Sequence, residues 1–296
     1  MSTFVLLTVT GLGLGAMYFL IASGLSLIYG LMGVLNFAHG AFLTVGAYAS
    51  WWMSEHAFAD VSSVLVRFLL GALCGLAAGA LFAALVELVL IRPLYQRHIE
   101  QVLVTVGLSI AFVALVEGIW GPDARAYAVP SWLRETTSIG GASIPNDRFV
   151  EIGTAVSVLL LLQVFLRRTR YGLIIRAGVE NRAMVTALGI DVRKAFTLVF
   201  ALGGIAAAVA GVLGGVYFTT IDPSQGTSLL IFAFIVVVIG GLGSIGGSAA
   251  AAVLVALVQQ YVNYYASAGI GDLSVVLLLG LLLLARPRGL AGAFAT

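Results

Sequence analysis

Seven apolar stretches, each near or above the length that crosses a bilayer, leave this chain few choices of fold. They run over about 4–30, 36–53, 62–91, 101–119, 149–166, 195–218 and 228–260, with a shorter one near 272–285. A hydrocarbon core roughly 30 Å thick takes about 20 helical residues to cross. Backbone groups in lipid must also be satisfied internally, which favours helices. The seventh stretch is interrupted by Gly240-Gly241-Leu242-Gly243-Ser244-Ile245-Gly246-Gly247. The expected fold is therefore all-α and polytopic, with about eight transmembrane helices, some broken or re-entrant. It forms one membrane domain over residues 1–296. Composition agrees, since only 9% of residues are charged, against about 25% in a soluble domain. Membrane lipid is the expected surround.

Basic residues set the expected orientation. Arg167, Arg168, Arg170, Arg176, Arg182, Arg193 and Lys194 crowd the segment 167–194, which makes it cytoplasmic. Arg92, Arg97, Arg286 and Arg288 place two further turns on the same side. The polar loop 120–148 and the loop with Glu55 and Asp60 then face outward, as does the N-terminus. This alternation holds to the C-terminus only if 228–260 enters and returns, broken at its glycines. The first stretch lacks the basic flank of a cleavable signal peptide and is read as a retained span. With Lys194 as the sole lysine, the basic groups do not form a nucleic-acid surface.

Enzymatic motifs fail on context. Gly241-Leu242-Gly243-Ser244-Ile245-Gly246 matches G-x-G-x-x-G, but its flanks are apolar and no carboxylate follows until Asp272. No P-loop exists, because Lys194 follows Arg193 rather than a glycine. His39, His56 and His98 lie far apart without companion cysteines, so no zinc spacing is present. Cys74 is alone and forms no intrachain disulfide. Among ionisable groups in the apolar runs, Glu87 stands five residues before Arg92, a spacing that suits a structural pair. Gly71, Gly75 and Gly79 repeat every four residues, as do Gly211 and Gly215. Such spacing lets helices approach closely in lipid, within one subunit by preference, with a dimerisation face as the alternative.

Two constellations stand out. In the first, Tyr29-Gly30 to Gly40 joins two apolar helices, with Asn36 where a helix cap would sit. Its backbone donors would point into the protein, or it is a tight turn with His39 as a satisfied structural group. The second runs from Arg176 to Ile190. Asn181 would cap a two-turn helix, Gly189 would stop it, and Met184, Val185, Leu188 and Ile190 would give a partner something to pack against. A solvated loop is the alternative.

At these residues the chain resembles the permease subunits of branched-chain amino acid ABC importers, the LivH-like group. The resemblance rests on Asn36-Phe37-Ala38-His39-Gly40, Thr105-Val106-Gly107-Leu108-Ser109, Arg176 to Ile190, Phe232-Ala233-Phe234 to Gly247, and Arg286-Pro287-Arg288-Gly289. These landmarks span nearly the whole chain. The resemblance implies a bacterial inner-membrane transport subunit without its own ATPase site. Its partners would be a second, LivM-like permease, two ATP-binding subunits that hold ATP and Mg, and a periplasmic solute-binding protein. It implies import of branched-chain or other hydrophobic amino acids by alternating access, or of urea, short amides or other small carboxylates. The residues Glu180, Asn181, Ala183, Met184, Ala187, Leu188, Gly189 and Ile190 would dock an ATPase. Asn36, His39, Gly40, Thr105, Ser109, Gly240, Gly241, Gly243 and Gly246 are the candidates for solute path or gate. No residue is assigned to catalysis or to a metal. An ion-coupled carrier or channel acting alone is the alternative class, with the Gly240–Gly247 carbonyls as its only evident ion ligands.

Overall fold

The computed structural model describes residues 2–33, 35–189, 191–267 and 269–291; within helices, the side chains of residues 31, 179–183, 186 and 192 lie outside that description. In chain order the elements are α1 (Ser2–Met32), α2 (His39–Trp52, continued by a π turn Met53–Ala57) and α3 (Val64–Val86). A π turn Glu87–Ile91 and a 3-10 turn Arg92–Leu94 continue α3. Then come α4 (His98–Trp120), β1 (Arg125–Ala126), α5 (Ser131–Arg134), β2 (Thr136–Ile139), β3 (Ala142–Pro145), α6 (Asn146–Arg168) and α7 (Arg170–Ala187). The chain ends with α8 (Val192–Phe218), β4 (Thr220–Ile221), α9 (Gln225–Gly240), α10 (Ile245–Tyr265) and α11 (Ile270–Ala285). Six helices among the described residues are long and apolar enough to cross a membrane, and α9 and α11 are shorter apolar helices.

Local chemistry sets the helix ends. Ser63, Asp191 and Ser244 each accept a bond from an early amide of α3, α8 and α10, satisfying donors that a helix start leaves orphaned. Thr169 does the same for α7, with Gly172 N–H 3.0 Å from its Oγ1. Gly121 and Gly189 take positive φ just past α4 and α7, the usual glycine stop.

One expected break is present and two expected helix starts move. The 228–260 stretch is two helices, α9 and α10, meeting at Gly241–Ser244, as the alternation of basic loops required. Asn36 does not cap α2, which begins at His39; its Oδ1 accepts from Ala38 N–H instead, a local turn of the kind Asn favours. Asn181 does not stand at a helix start either, because α7 already starts at Arg170 behind Thr169 and runs through it.

Glycine and alanine bring the central helices together. α1 lies antiparallel to α10, with Thr8 bonded to Tyr261 near one end and Gly30 against Gly243 at the other. Gly75 packs on Gly46 and Ser50, Gly79 on Ala208 and Gly204, and Gly211 on the Leu43 carbonyl. The four-residue glycine repeats therefore serve packing of α2, α3 and α8 inside this subunit. Phe42, Phe196, Phe200 and Met17 fill the space between.

The bundle has two unlike ends. Eleven of the fifteen Arg and Lys lie on segments at one end, around α7, the turns after α3 and α11, and the start of α8. At the far end, β1 pairs with β4, and β2 with β3 through Gly140-Gly141, both at positive φ as a tight hairpin turn prefers.

Candidate functional site

The first interruption turns back into the bundle. After α1 ends at Met32, α2 starts with His39 level with the middle of α1: His39 Nε2 lies 3.1 Å from the Ile21 carbonyl. Eleven helical residues separate Ile21 from Met32, a rise of about 16 Å. The start of α2 is thus buried well inside the bundle. Two glycines make this possible: a Cβ on Gly40 would sit 2.8 Å from the Gly226 carbonyl carbon, and one on Gly226 would overlap the Gly40 carbonyl. Gly24 similarly leaves room for the His39 ring.

A groove of about 270 Å³ opens beside this start. Leu35, Asn36 and Phe37 form its floor, Val106, Ser109 and Ile110 of α4 one wall, and Thr227, Leu230, Ile231 and Phe234 of α9 the other. Phe37 and Phe234 face each other at 6.5 Å. Ile110 and Ile231 are 68% and 59% exposed, so the groove opens on the flank of the bundle. Its lining carries no formal charge, and its polar groups are Asn36, Ser109 and Thr227. Asn36 is 4% exposed and its Nδ2 has no protein partner among the described residues. An unpaired buried donor is costly, so the amide is available to a ligand or water entering there. Thr105 lies one turn along α4 from Ser109, in a narrow gap that it shares with Asn36 and Gln101.

The structure therefore brings Asn36, His39, Gly40, Thr105 and Ser109 together and sets Gly240, Gly241, Gly243 and Gly246 apart. The second interruption sits at the basic end. Gly240 abuts Gly247, Gly243 abuts Gly30, and the chain after α11 closes over the turn with Leu290 N–H donating to the Ile239 carbonyl at 2.8 Å. Gly241 and Gly243 hold φ of 98° and 81°, whereas Gly246 has open space around it.

Of the docking candidates, Met184, Ala187, Leu188 and Gly189 are exposed at the basic end, while Val185 and Ile175 turn inward. The side chains of Glu180, Asn181 and Ala183, and all of Ile190, lie outside the described residues. At the same end, Glu87 is fully buried and bonded to Arg92 through both oxygens at 3.2 Å, to Thr197 of α8 at 2.8 Å and to Tyr95. The expected structural pair is present, and it fastens the end of α3 to the start of α8.

A second buried ionic group went unread in the sequence. Arg148 lies between Asp147 and Glu151 at 3.4 and 3.2 Å, with its guanidinium 3.5 Å above the Tyr217 ring. The apolar stretch 149–166 hid it, since α6 begins three residues earlier and buries its first turns against α1 and α8. Arg and carboxylates spaced i, i+3 were the available signal.

Comparison with known proteins places this architecture. A family model described as branched-chain amino acid transport system / permease component matches residues 7–286. The chain is 31% identical to the high-affinity branched-chain amino acid transport permease LivH of Salmonella typhimurium, covering 95% of this chain and 93% of that one. It is 30% identical to BraD of Pseudomonas aeruginosa over 96% and 94% of the two chains. A probable LivH of Methanocaldococcus jannaschii is 25% identical over 92% and 88%. No solved structure matches. The chain thus belongs to the branched-chain amino acid transport permease family, as a multi-pass inner-membrane permease component of an ABC importer that works with other importer subunits and has no ATPase domain of its own.

Proposed function

We propose that this subunit imports branched-chain or other hydrophobic amino acids by alternating access, with the Asn36 groove on the solute path. The family match over nearly the whole chain carries this reading. The groove supports it. Its aliphatic and aromatic walls suit a branched side chain, and Asn36, Ser109 and Thr227 offer neutral hydrogen bonds. Binding sites of this kind, mostly apolar with a few placed polar groups, are the general pattern for small solutes.

The basic end is cytoplasmic in this reading, by the excess of Arg and Lys there. A LivM-like second permease would close the open flank of the groove. A periplasmic binding protein would deliver solute to the far end. Two ATP-binding subunits, holding ATP and Mg, would seat against the exposed Met184 and Ala187 at the end of α7 and Leu188 just past it. Glu87, Arg92 and Thr197 would pass their movement from α8 to α3. Nucleotide need favour one of two states by only a few kcal/mol to redirect access.

Reconstitution with the partner subunits tests the proposal. Labelled leucine, isoleucine or valine should accumulate only when ATP and binding protein are both supplied. Uptake by the chain alone, driven by an ion gradient without ATP, would overturn it in favour of a secondary carrier.

A further inference from the structure

The far end, which the proposed function places outside the cell, carries a second concavity that differs from the groove in being lined by charged groups. It encloses about 490 Å³ between Trp51, Glu55, His56, Arg125, Tyr127 and Arg134. Each wall is held by the fold. Tyr127 is buried, its hydroxyl 2.6 Å from Ser50 Oγ and its amide bonded to the Thr219 carbonyl. Burial pushes that hydroxyl above its ordinary pKa, so it stays protonated. Arg125 sits on β1, pinned to β4 opposite Ile221, and donates to the Trp120 carbonyl. Arg134 ends α5, anchored by buried Leu133, and donates to the Tyr127 carbonyl at 3.3 Å. His56 stacks on Trp52 and meets Trp51 edge-on, which steadies the π turn that presents Glu55.

The charges here are uncommitted. None of the ion pairs among the described residues involves Glu55, Arg125 or Arg134. Each arginine spends a donor on a backbone carbonyl and keeps others of its five for a ligand. Two cationic forks, one carboxylate and two aromatic walls in one depression match a molecule with a carboxylate, an ammonium and an apolar body. The depression also stands in line with the groove. α2 and α4 run from the groove to this end, where Tyr48 and Trp120 meet at 5.2 Å. Ser109 to Trp120 is eleven helical residues, about 16 Å of rise.

We propose that Trp51, Glu55, Arg125, Tyr127 and Arg134 form an outer station for a zwitterionic α-amino acid with an apolar side chain. Arg125 and Arg134 take the carboxylate, Glu55 takes the ammonium, and the two rings flank the side chain. The station hands the solute along the α2–α4 seam to the uncharged groove. An acidic side chain of a partner protein fits less well, because Glu55 would repel it with no ammonium to compensate. The proposal rests on the amino-acid import reading above.

Equilibrium dialysis of labelled leucine against the complete importer, without its binding protein, tests it. The unmodified complex should bind leucine, and isoamylamine, which lacks the carboxylate, should not displace it. The double variant R125Q/R134Q should bind at least about tenfold more weakly, the loss expected for charge-assisted bonds. The R125K/R134K variant should keep part of the affinity, and Glu55→Gln should lose several-fold. Leucine uptake should fall in parallel while the binding protein docks with unchanged affinity. Should the double variant fail to assemble, Glu55→Gln carries the test, since that exposed side chain makes no ion pair to lose. Absence of leucine binding to the unmodified complex overturns the station, as does unaltered binding in the variants. Loss of binding-protein docking with leucine binding intact assigns the pocket to an acidic partner side chain instead. A complex that imports no amino acid with ATP refutes the underlying reading, and that assay is separate.

Discussion

The two interruptions, Asn36–Gly40 and Gly240–Gly247, read alike in sequence and do opposite things in space. Both are short, glycine-containing breaks between apolar helices. The first folds back toward the middle of α1, ends in a buried helix start at His39 and leaves an uncharged groove next to an unpaired Asn36 amide. The second is a turn at the basic end, sealed by Gly30 on one side and by the segment after α11 on the other. A broken helix inside a membrane protein must bury its free backbone groups against protein or water. The first break meets that demand at depth and the second meets it at the surface. Glycine by itself therefore does not tell a buried break from a surface turn; the depth to which the chain returns does.

The contrast is breakable by substitution, and the largest effect belongs to the first break. Gly40→Val places a branched side chain where the Gly226 carbonyl carbon lies 2.8 Å from a Cβ. Overpacking of this kind costs about 1–3 kcal/mol, and backbone yields less readily than a side chain. The expected outcome is a marked fall in melting temperature of the detergent-purified complex, with the groove walls parted and uptake lost. Unchanged melting would mean that α2 and α9 do not touch at these glycines.

At the second break the prediction is a difference between neighbours. Gly243→Val must hold φ near 81° and meet Gly30 Cα at 3.0 Å, a cost of about 1–2 kcal/mol for the left-handed backbone alone. Gly246→Val meets open space and should be almost silent. Thermal unfolding of the pair measures the gap. Equal effects would show that the turn is not sealed as described.

The smallest stability effect and the most informative one comes from Asn36→Ala. It removes the bond to the Ala38 amide, worth about 0.5–1.5 kcal/mol, and takes away the free Nδ2. Melting should shift slightly while leucine uptake drops clearly, because the variant loses the polar contact and keeps the fold. Normal uptake would move the solute contact to Ser109 and Thr227.

Much of this is legible in the sequence. The apolar periods gave the helices to within a few residues, and the basic loops required 228–260 to double back, as α9 and α10 do. The Gly71, Gly75, Gly79 repeat was readable as internal packing. The start of α7 was missed because Thr169 sits between Arg168 and Arg170, where a charge run masked a cap. The outer station was missed for a deeper reason. Glu55 and Arg134 are 79 positions apart, and no local pattern announces that the π turn after α2 and the end of α5 will line one depression.

The sequence by itself determined that this chain spans a membrane many times, which of its ends is basic, and where its helices are interrupted, because bilayer thickness and the cost of buried charge act on consecutive residues. Tertiary structure alone decided which interruption reaches the interior and which polar groups remain unpaired beside it. That choice depends on contacts such as Gly40 with Gly226, backbone against backbone, and the His39 ring with the Ile21 carbonyl, which join separate helices and which no pattern within either segment records.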